Sequence, residues 1–112
     1  MIYGVKTTGR ARLDMRMIYE YIAETLMEPV IAQKQYTRIE KAVYSLDQMP
    51  ERYRQYEKEP WRSRNLRVMP VDNYIVFYTV DNEKREVTVI RIMYGGMDTK
   101  RELDDVVQQE KI

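Results

Sequence analysis

The chain of 112 residues carries 19 Lys and Arg against 18 Asp and Glu, so a formal net charge of +1 gives no global attraction to nucleic acid. It contains no Cys and no His, which excludes disulfides, thiolate or histidine metal sites and Ser–His or Cys–His nucleophiles. No apolar run approaches the roughly 20 residues of a membrane span. We therefore expect one cytoplasmic domain over residues 1–112 without a metal or cofactor.

The N-terminal segment predicts a strand and then a helix. Residues 2–6 favour a short strand, and Thr7 or Thr8 is placed to cap a helix over residues 10–27. Apolar residues at helical spacing form one stripe along this helix: Ala11, Met15, Ile18, Ile22 and Leu26. A second stripe lies on a flanking face and consists of Leu13, Met17 and Tyr21. Two stripes predict a helix that contacts neighbours on two sides.

A second helix is predicted to begin at Pro29 and to end at Met49-Pro50. Its buried edge is marked by residues spaced three and four apart: Ala32, Gln35, Ile39, Ala42 and Leu46. Because almost no chain joins the two helices, they are expected to form an antiparallel hairpin.

Residues 50–60 are polar and bracketed by prolines, so we expect a surface loop. Trp61 follows, either as a core lid or as an interface anchor. The densest basic segment comes next, with Arg62, Arg64 and Arg67. Alternation around Leu66 predicts a strand through this segment and a turn over residues 70–73. The arginines are interpreted either as a solvated strand edge or as contacts to nucleic acid or to an acidic partner.

Residues 74–94 predict the central hairpin of a sheet. Residues 74–80 are almost all β-branched or aromatic, which favours a strand buried on both faces. After a polar turn, one face of the return arm is expected to hold Val87, Val89, Arg91 and Met93, and the other Thr88, Ile90, Ile92 and Tyr94. Arg91 is the only charge among these apolar residues. We interpret it as half of a buried ion pair with Asp14 or Glu20.

The C-terminal residues predict a tight turn at Gly95-Gly96 and a helix of about ten residues, with a frayed tail from Gln108. Thr99 with Glu102 three residues later forms a capping box, and an apolar face follows with Leu103, Val106 and Val107. The order of strand, helix hairpin, three-stranded antiparallel meander and helix predicts an α+β fold, with the meander and the first strand in one sheet.

Several segments, in this order and spacing, resemble the RelE/ParE superfamily of toxins from type II toxin–antitoxin modules over essentially the whole chain. They are Arg10-Ala11-Arg12-Leu13-Asp14-Met15, Leu66-Arg67, residues 74–81, and residues 89–98 with Gly95-Gly96-Met97-Asp98. The resemblance implies a RelE/ParE-like fold and a toxin that a cognate antitoxin neutralises in an oligomer. It also implies one of two activities. RelE-like members cut mRNA on the ribosome with Lys, Arg and Tyr side chains, and ParE-like members poison DNA gyrase.

Within that resemblance the chain departs from the ribonuclease branch. Ile75 and Met97 stand where arginines are expected, and Ser63 and Asn65 stand at basic positions, so that Arg62 and Arg64 are offset by one residue. Phosphoryl chemistry without those cations loses its main stabilisation of charge. The segment Tyr94-Gly95-Gly96-Met97 instead resembles ParE-like members. The preferred hypothesis is therefore a gyrase poison without catalytic residues.

Two alternatives remain, a RelE-like interferase that uses Arg62, Arg64, Arg67 and Tyr94, and an inactive toxin-fold binding module. The candidate contacts to antitoxin or target are Leu13, Met17, Tyr21, Arg62, Arg64, Arg67, Tyr94, Met97 and Asp98. We expect the antitoxin to cover the second stripe of the first helix and the basic segment. The turn at residues 94–98 and the following helix are expected to contact the target.

Overall fold

The computed structural model describes residues 2–110, which form one mixed sheet flanked by helices. The helices are α1 (Gly9–Glu20), α2 (Pro29–Tyr44) and α3 (Thr99–Glu110), and the strands are β1 (Gly4–Thr7), β2 (Arg54–Gln55), β3 (Leu66–Val71), β4 (Tyr74–Asp81) and β5 (Glu86–Tyr94). The strand order is β1-β5-β4-β3-β2, with β1 parallel to β5 and all other neighbours antiparallel. The predicted α+β class is confirmed, with a short additional edge strand, β2, in the expected surface loop. Within the described residues, no helix has the length and apolar character needed to cross a membrane.

β4 is buried on both faces, as its composition predicted. One core lies between the sheet and the helix hairpin and includes Val76 of β4 with Ala11 and Ile39. The other core lies beneath α3 and includes Phe77 with Leu103. Trp61 belongs to this second core and is 3% exposed, so it is a core residue in this chain.

The first helix is shorter than predicted. α1 ends at Glu20, and the chain continues through a π-helical turn, Tyr21–Thr25, in which the Leu26 N–H donates to the Tyr21 carbonyl at 3.0 Å. A π-helical turn widens the repeat and moves later residues off the buried stripe. Leu26 is consequently 51% exposed, whereas Ile22 remains buried. The predicted N-cap is confirmed at Thr8, whose hydroxyl accepts the Ala11 N–H at 3.1 Å.

The predicted faces of the return arm are wrong beyond Ile90 because β5 contains a bulge. Tyr78 pairs with Val89 and Phe77 pairs with Arg91, so Ile90 is an extra residue. A bulge reverses the alternation of side chains after it. Ile92 therefore joins Val87 and Val89 in the core under the helix hairpin, and Met93 joins the core under α3.

Up to residue 65, the basic segment forms a turn instead of the predicted strand. The N–H groups of Arg64 and Leu66 both donate to the Trp61 carbonyl at 3.1 Å. Asn65 has a left-handed backbone with φ of 57°, which ends the turn before β3 begins at Leu66. Arg62 and Arg64 thus have no strand face, and their offset by one residue from the expected basic positions does not place them on either side of the sheet.

Three further predictions about turns and helix ends also change. The turn predicted over residues 70–73 is limited to Asp72-Asn73, because Pro70 and Val71 still pair with β4. The capping box at Thr99 is wrong, since a carboxylate oxygen of Asp98 accepts the Arg101 N–H at 3.2 Å and Glu102 has a different partner. α3 continues through Gln108 to Glu110, where a frayed tail was expected, and residues 111–112 lie outside the described residues.

We predict that Met27→Gly stabilises the fold. Met27 has a left-handed backbone with φ of 56° and is 79% exposed, so the substitution removes backbone strain and loses little packing. The free energy of unfolding should rise by about 0.5–1 kcal/mol in urea denaturation. Lys34→Gly, at an exposed position inside α2, is the control and should lower it by about 1 kcal/mol. A lower stability for Met27→Gly would contradict the prediction.

Candidate functional site

Six large apolar side chains line an open groove of about 710 Å³ beside α1, and each of them is 42–55% exposed: Met17, Tyr21, Leu26, Ile31, Tyr94 and Met97. We call these residues the apolar groove. One wall comes from α1, the π-helical turn and the start of α2, and the other from the end of β5 and the turn after it. Clustered apolar surface of this kind is typical of an interaction site.

The second wall of the apolar groove is built on packed tyrosines. The Tyr74 and Tyr94 rings pack edge to face with their centroids 5.9 Å apart. Burial, with smaller contributions from the neighbouring Tyr94 and Tyr21, raises the pKa of Tyr74. Tyr74 therefore keeps its proton at neutral pH and presents an uncharged aromatic surface with a hydroxyl donor.

The predicted tight turn at Gly95-Gly96 positions Tyr94 and Met97. A Cβ at Gly96 would lie 2.8 Å from the Tyr94 ring, and one at Gly95 would lie 3.3 Å from the Asn73 carbonyl. The Gly95 N–H also donates to that carbonyl at 2.8 Å. A side chain at Gly96 would displace the Tyr94 ring and one at Gly95 would crowd the Asn73 carbonyl, so the two glycines allow this wall to lie close to the β3–β4 turn.

An ion cluster lies at the side of the apolar groove. Arg91 is 3% exposed, and its guanidinium donates to both carboxylate oxygens of Asp14, at 2.8 and 3.2 Å, and to Glu102 at 3.1 Å. Asp14 also accepts the Ile92 N–H at 2.9 Å and lies 3.4 Å from Arg10 Nε. Burial lowers the pKa of Arg91, but the hydrogen bonds to Asp14 and Glu102 outweigh it, so that the pKa is raised overall. Of the two predicted partners, Asp14 is the one that Arg91 contacts, whereas Glu20 pairs with Arg16.

Glu102 was not predicted as a partner of Arg91, because its spacing from Thr99 assigned it to a capping box. The cluster joins α1, β5 and α3, which sequence spacing alone does not bring together. Asp98 caps α3 rather than lining the apolar groove, and Leu13 is half-buried outside it. Met17, Tyr21, Tyr94 and Met97 are the predicted contact residues that the structure brings together.

The arginines of the basic segment lie at the other end of the sheet. Arg64 is beside residues 79–83, at the end of β4 opposite Tyr74, and its guanidinium stacks on Trp61 at 5.0 Å. β4 has eight residues, so about 23 Å separates its two ends. The basic segment and the second stripe of α1 are therefore separate surfaces, and a partner that covers both has to extend along the sheet.

Arg67 has a structural role at the sheet edge. Its guanidinium contacts Glu51 at 3.2 Å, Asn65 at 2.9 Å and the Tyr53 carbonyl at 3.1 Å. The hydrogen bond from Asn65 is the main cause that lowers the pKa of Glu51. Burial opposes the effect, and Asn82 and Arg67 reinforce it.

Among the described residues, no group of carboxylates is arranged to hold a metal ion.

We predict that Arg91→Met lowers the free energy of unfolding by about 3–5 kcal/mol, because it leaves the Asp14 carboxylate buried without its main partner. Arg16→Met is the control, because Arg16 forms an exposed pair with Glu20, and its loss should be about 0–1 kcal/mol. The double variant Asp14→Leu with Arg91→Met should be more stable than Arg91→Met alone in chemical denaturation. Additive losses would show that the two residues do not act as a pair.

We also predict a pH-dependent role for Glu51. Because folding lowers its pKa from about 4.5, its charged form stabilises the fold above that pH, and the stabilisation disappears as pH falls through the lower folded value. Glu51→Gln should therefore melt below the unsubstituted chain at pH 7, and the difference in Tm should shrink below pH 4.5. Glu57→Gln, in the following loop, is the control variant. A difference that is constant with pH would contradict this assignment.

Comparison with known families identifies the chain over most of its length. The family model described as the ParE toxin of the type II toxin–antitoxin system parDE matches residues 5–99. No relative was found among curated proteins.

Comparison with solved structures gives the same fold. The chromosomal ParDE toxin–antitoxin system from P. aeruginosa matches with a TM-score of 0.69 and 21% identity, over 83% of this chain and 96% of that one. The E. coli toxin RelE in the free state, as a mutant, has a TM-score of 0.61 and 17% identity, over 97% and 98%. The archaeal RelE–RelB complex from Pyrococcus horikoshii has a TM-score of 0.59 and 16% identity, over 86% and 98%. The resemblance predicted from sequence is confirmed, and the chain belongs to the ParE toxin family of type II toxin–antitoxin systems.

Proposed function

We propose that this chain is a ParE-like toxin that poisons DNA gyrase by binding it, and that a cognate antitoxin neutralises it by covering the apolar groove. The observation that carries the proposal is the apolar groove itself. Its six residues keep roughly half of their surface in water although the chain has two well-filled cores. A partner that buries them gains on the order of 1 kcal/mol for each side chain.

The shape and charge of the apolar groove favour an amphipathic segment as the occupant. Tyrosine and methionine side chains pack against varied apolar surfaces, and they are frequent at protein interfaces. Arg10, at the groove edge, has a side chain 48% exposed and is positioned to pair with an acidic residue of the partner. A segment with apolar anchors and at least one carboxylate fits this surface. The solved relatives include complexes described as ParDE and RelE–RelB, which supports an antitoxin as the partner.

The position of the basic residues argues for binding rather than cleavage of mRNA. The residues of the ribonuclease alternative are dispersed, with Tyr94 in the apolar groove, Arg64 at the opposite end of β4, and Arg67 paired with Glu51. Phosphoryl transfer requires cations that converge on one phosphate. Ile75 packs against the core under α3 and Met97 lines the groove, so neither position supplies a cation.

A gyrase contact requires a surface of fixed shape rather than a catalytic group. The turn that contains Met97 is held by the Gly95–Asn73 hydrogen bond and leads into α3, which Arg91 fixes through Glu102. This turn and α3 are the surface that we assign to the target, and the antitoxin would then cover part of it.

We predict that Tyr21→Glu abolishes antitoxin binding without unfolding the chain. A carboxylate in the apolar groove must lose its water when the partner docks, which should weaken binding at least about 100-fold. Tyr44→Glu is the matched control, because Tyr44 is 63% exposed against 55% for Tyr21 and lies outside the groove. The measurement is titration calorimetry with the product of the reading frame adjacent to this gene. Equal effects of the two substitutions would argue against the groove as the docking site.

We predict that the purified chain inhibits supercoiling by DNA gyrase and leaves programmed ribosomes without codon-specific cuts in primer extension. Added antitoxin should restore supercoiling, and Met97→Glu should weaken the inhibition because Met97 lies in the assigned target surface. Ribosomal cuts with normal supercoiling would instead favour the interferase, and no response in either assay would favour the inactive binding module.

A further inference from the structure

The described methionines of this chain differ widely in exposure. Met69 and Met93 are each 1% exposed, whereas four methionines are largely exposed: Met17 at 52%, Met27 at 79%, Met49 at 74% and Met97 at 42%. Two of these four, Met17 and Met97, line the apolar groove, and Met27 and Met49 do not. Because the chain contains no Cys, methionine is its only oxidisable sulfur.

We propose that Met17 and Met97 are a redox-sensitive pair, and that their oxidation by hydrogen peroxide blocks docking of the partner in the apolar groove. The sulfur lone pair attacks the peroxide, the O–O bond breaks, one oxygen stays on sulfur as the sulfoxide, and the other leaves as water. Sulfur is oxidised while peroxide is reduced. The step needs no catalytic group from the protein.

Oxidation should weaken docking because of the residues that line the groove. A sulfoxide is a strong hydrogen-bond acceptor, and most of the residues that line the groove are apolar, Leu26, Ile31 and Tyr94 among them. Docking an apolar partner face over it buries an unsatisfied polar group. Each sulfoxide should therefore weaken binding about tenfold, and the pair about 100-fold.

The same geometry determines whether the free chain or the complex is oxidised. A docked partner covers Met17 and Met97 and shields them from peroxide, so the complex is protected and the free chain is not. Oxidation then acts on chains that have lost their partner and prevents reassociation. This inference depends on the proposed function, because it assumes that the antitoxin occupies the apolar groove.

The test begins with peroxide footprinting followed by mass spectrometry of peptides. In the isolated chain, Met17, Met27, Met49 and Met97 should gain oxygen while Met69 and Met93 remain unmodified. In the complex with the product of the adjacent reading frame, Met17 and Met97 should be protected and Met49 should react as before. Unprotected groove methionines in a stable complex would overturn the proposed docking site, and the redox proposal with it.

The second arm measures affinity by calorimetry for the oxidised chain and for substituted chains. Met17→Gln with Met97→Gln, a polar replacement of similar size, should reproduce the loss, and Met49→Gln should not. Met17→Leu with Met97→Leu removes both sulfurs, so peroxide should leave the affinity of this variant at its own starting value, and circular dichroism should show that all variants are folded. If the footprint shows protection but oxidation leaves affinity unchanged, the redox proposal fails while the docking site stands.

Discussion

The buried guanidinium of Arg91 is the constraint on which the arrangement of this domain depends. It lies in a strand between two apolar cores, where a charge is tolerated only with complete pairing. Asp14 supplies both carboxylate oxygens from α1, and Glu102 supplies a third from α3. Since each carboxylate belongs to a different helix, satisfying one cation fixes where both helices lie on the sheet. The cluster also holds α1 against β5, and the apolar groove lies open beside it, between α1 and the end of β5.

Much of the fold follows from local patterns in the chain. The β-branched run of β4, the threonine cap at Thr8 and the proline at the start of α2 each specify one element through one physical preference. The ion pair of Arg91 was predictable for a related reason, since an unpaired charge among apolar strand residues is too costly to keep. The apolar groove was predictable in part, because Met17 and Tyr21 exceed what one sheet contact can bury.

The features that sequence reasoning missed depend on contacts between distant residues or on backbone geometry. No residue type in the sequence marks the bulge at Ile90. The bulge nevertheless places Ile92 and Met93 each in the core opposite to the one expected. The left-handed backbone of Asn65 separates Arg62 and Arg64 from the strand that follows, and asparagine adopts this conformation in only some of its contexts. Glu102 fitted two roles by spacing alone, and only the proximity of Arg91 decides between them.

The two walls of the apolar groove come from distant parts of the chain, and this has a consequence during protein synthesis. The first wall ends at Ile31, whereas the second contains Tyr94 and Met97. At about 5–20 residues per second, ribosomes need several seconds to make the segment between them. A nascent chain therefore exposes the first wall well before the second exists, and it can offer the complete groove only after β5 has paired with β4 and β1. Under the proposed function, a partner that binds this groove therefore recognises only chains whose sheet has formed.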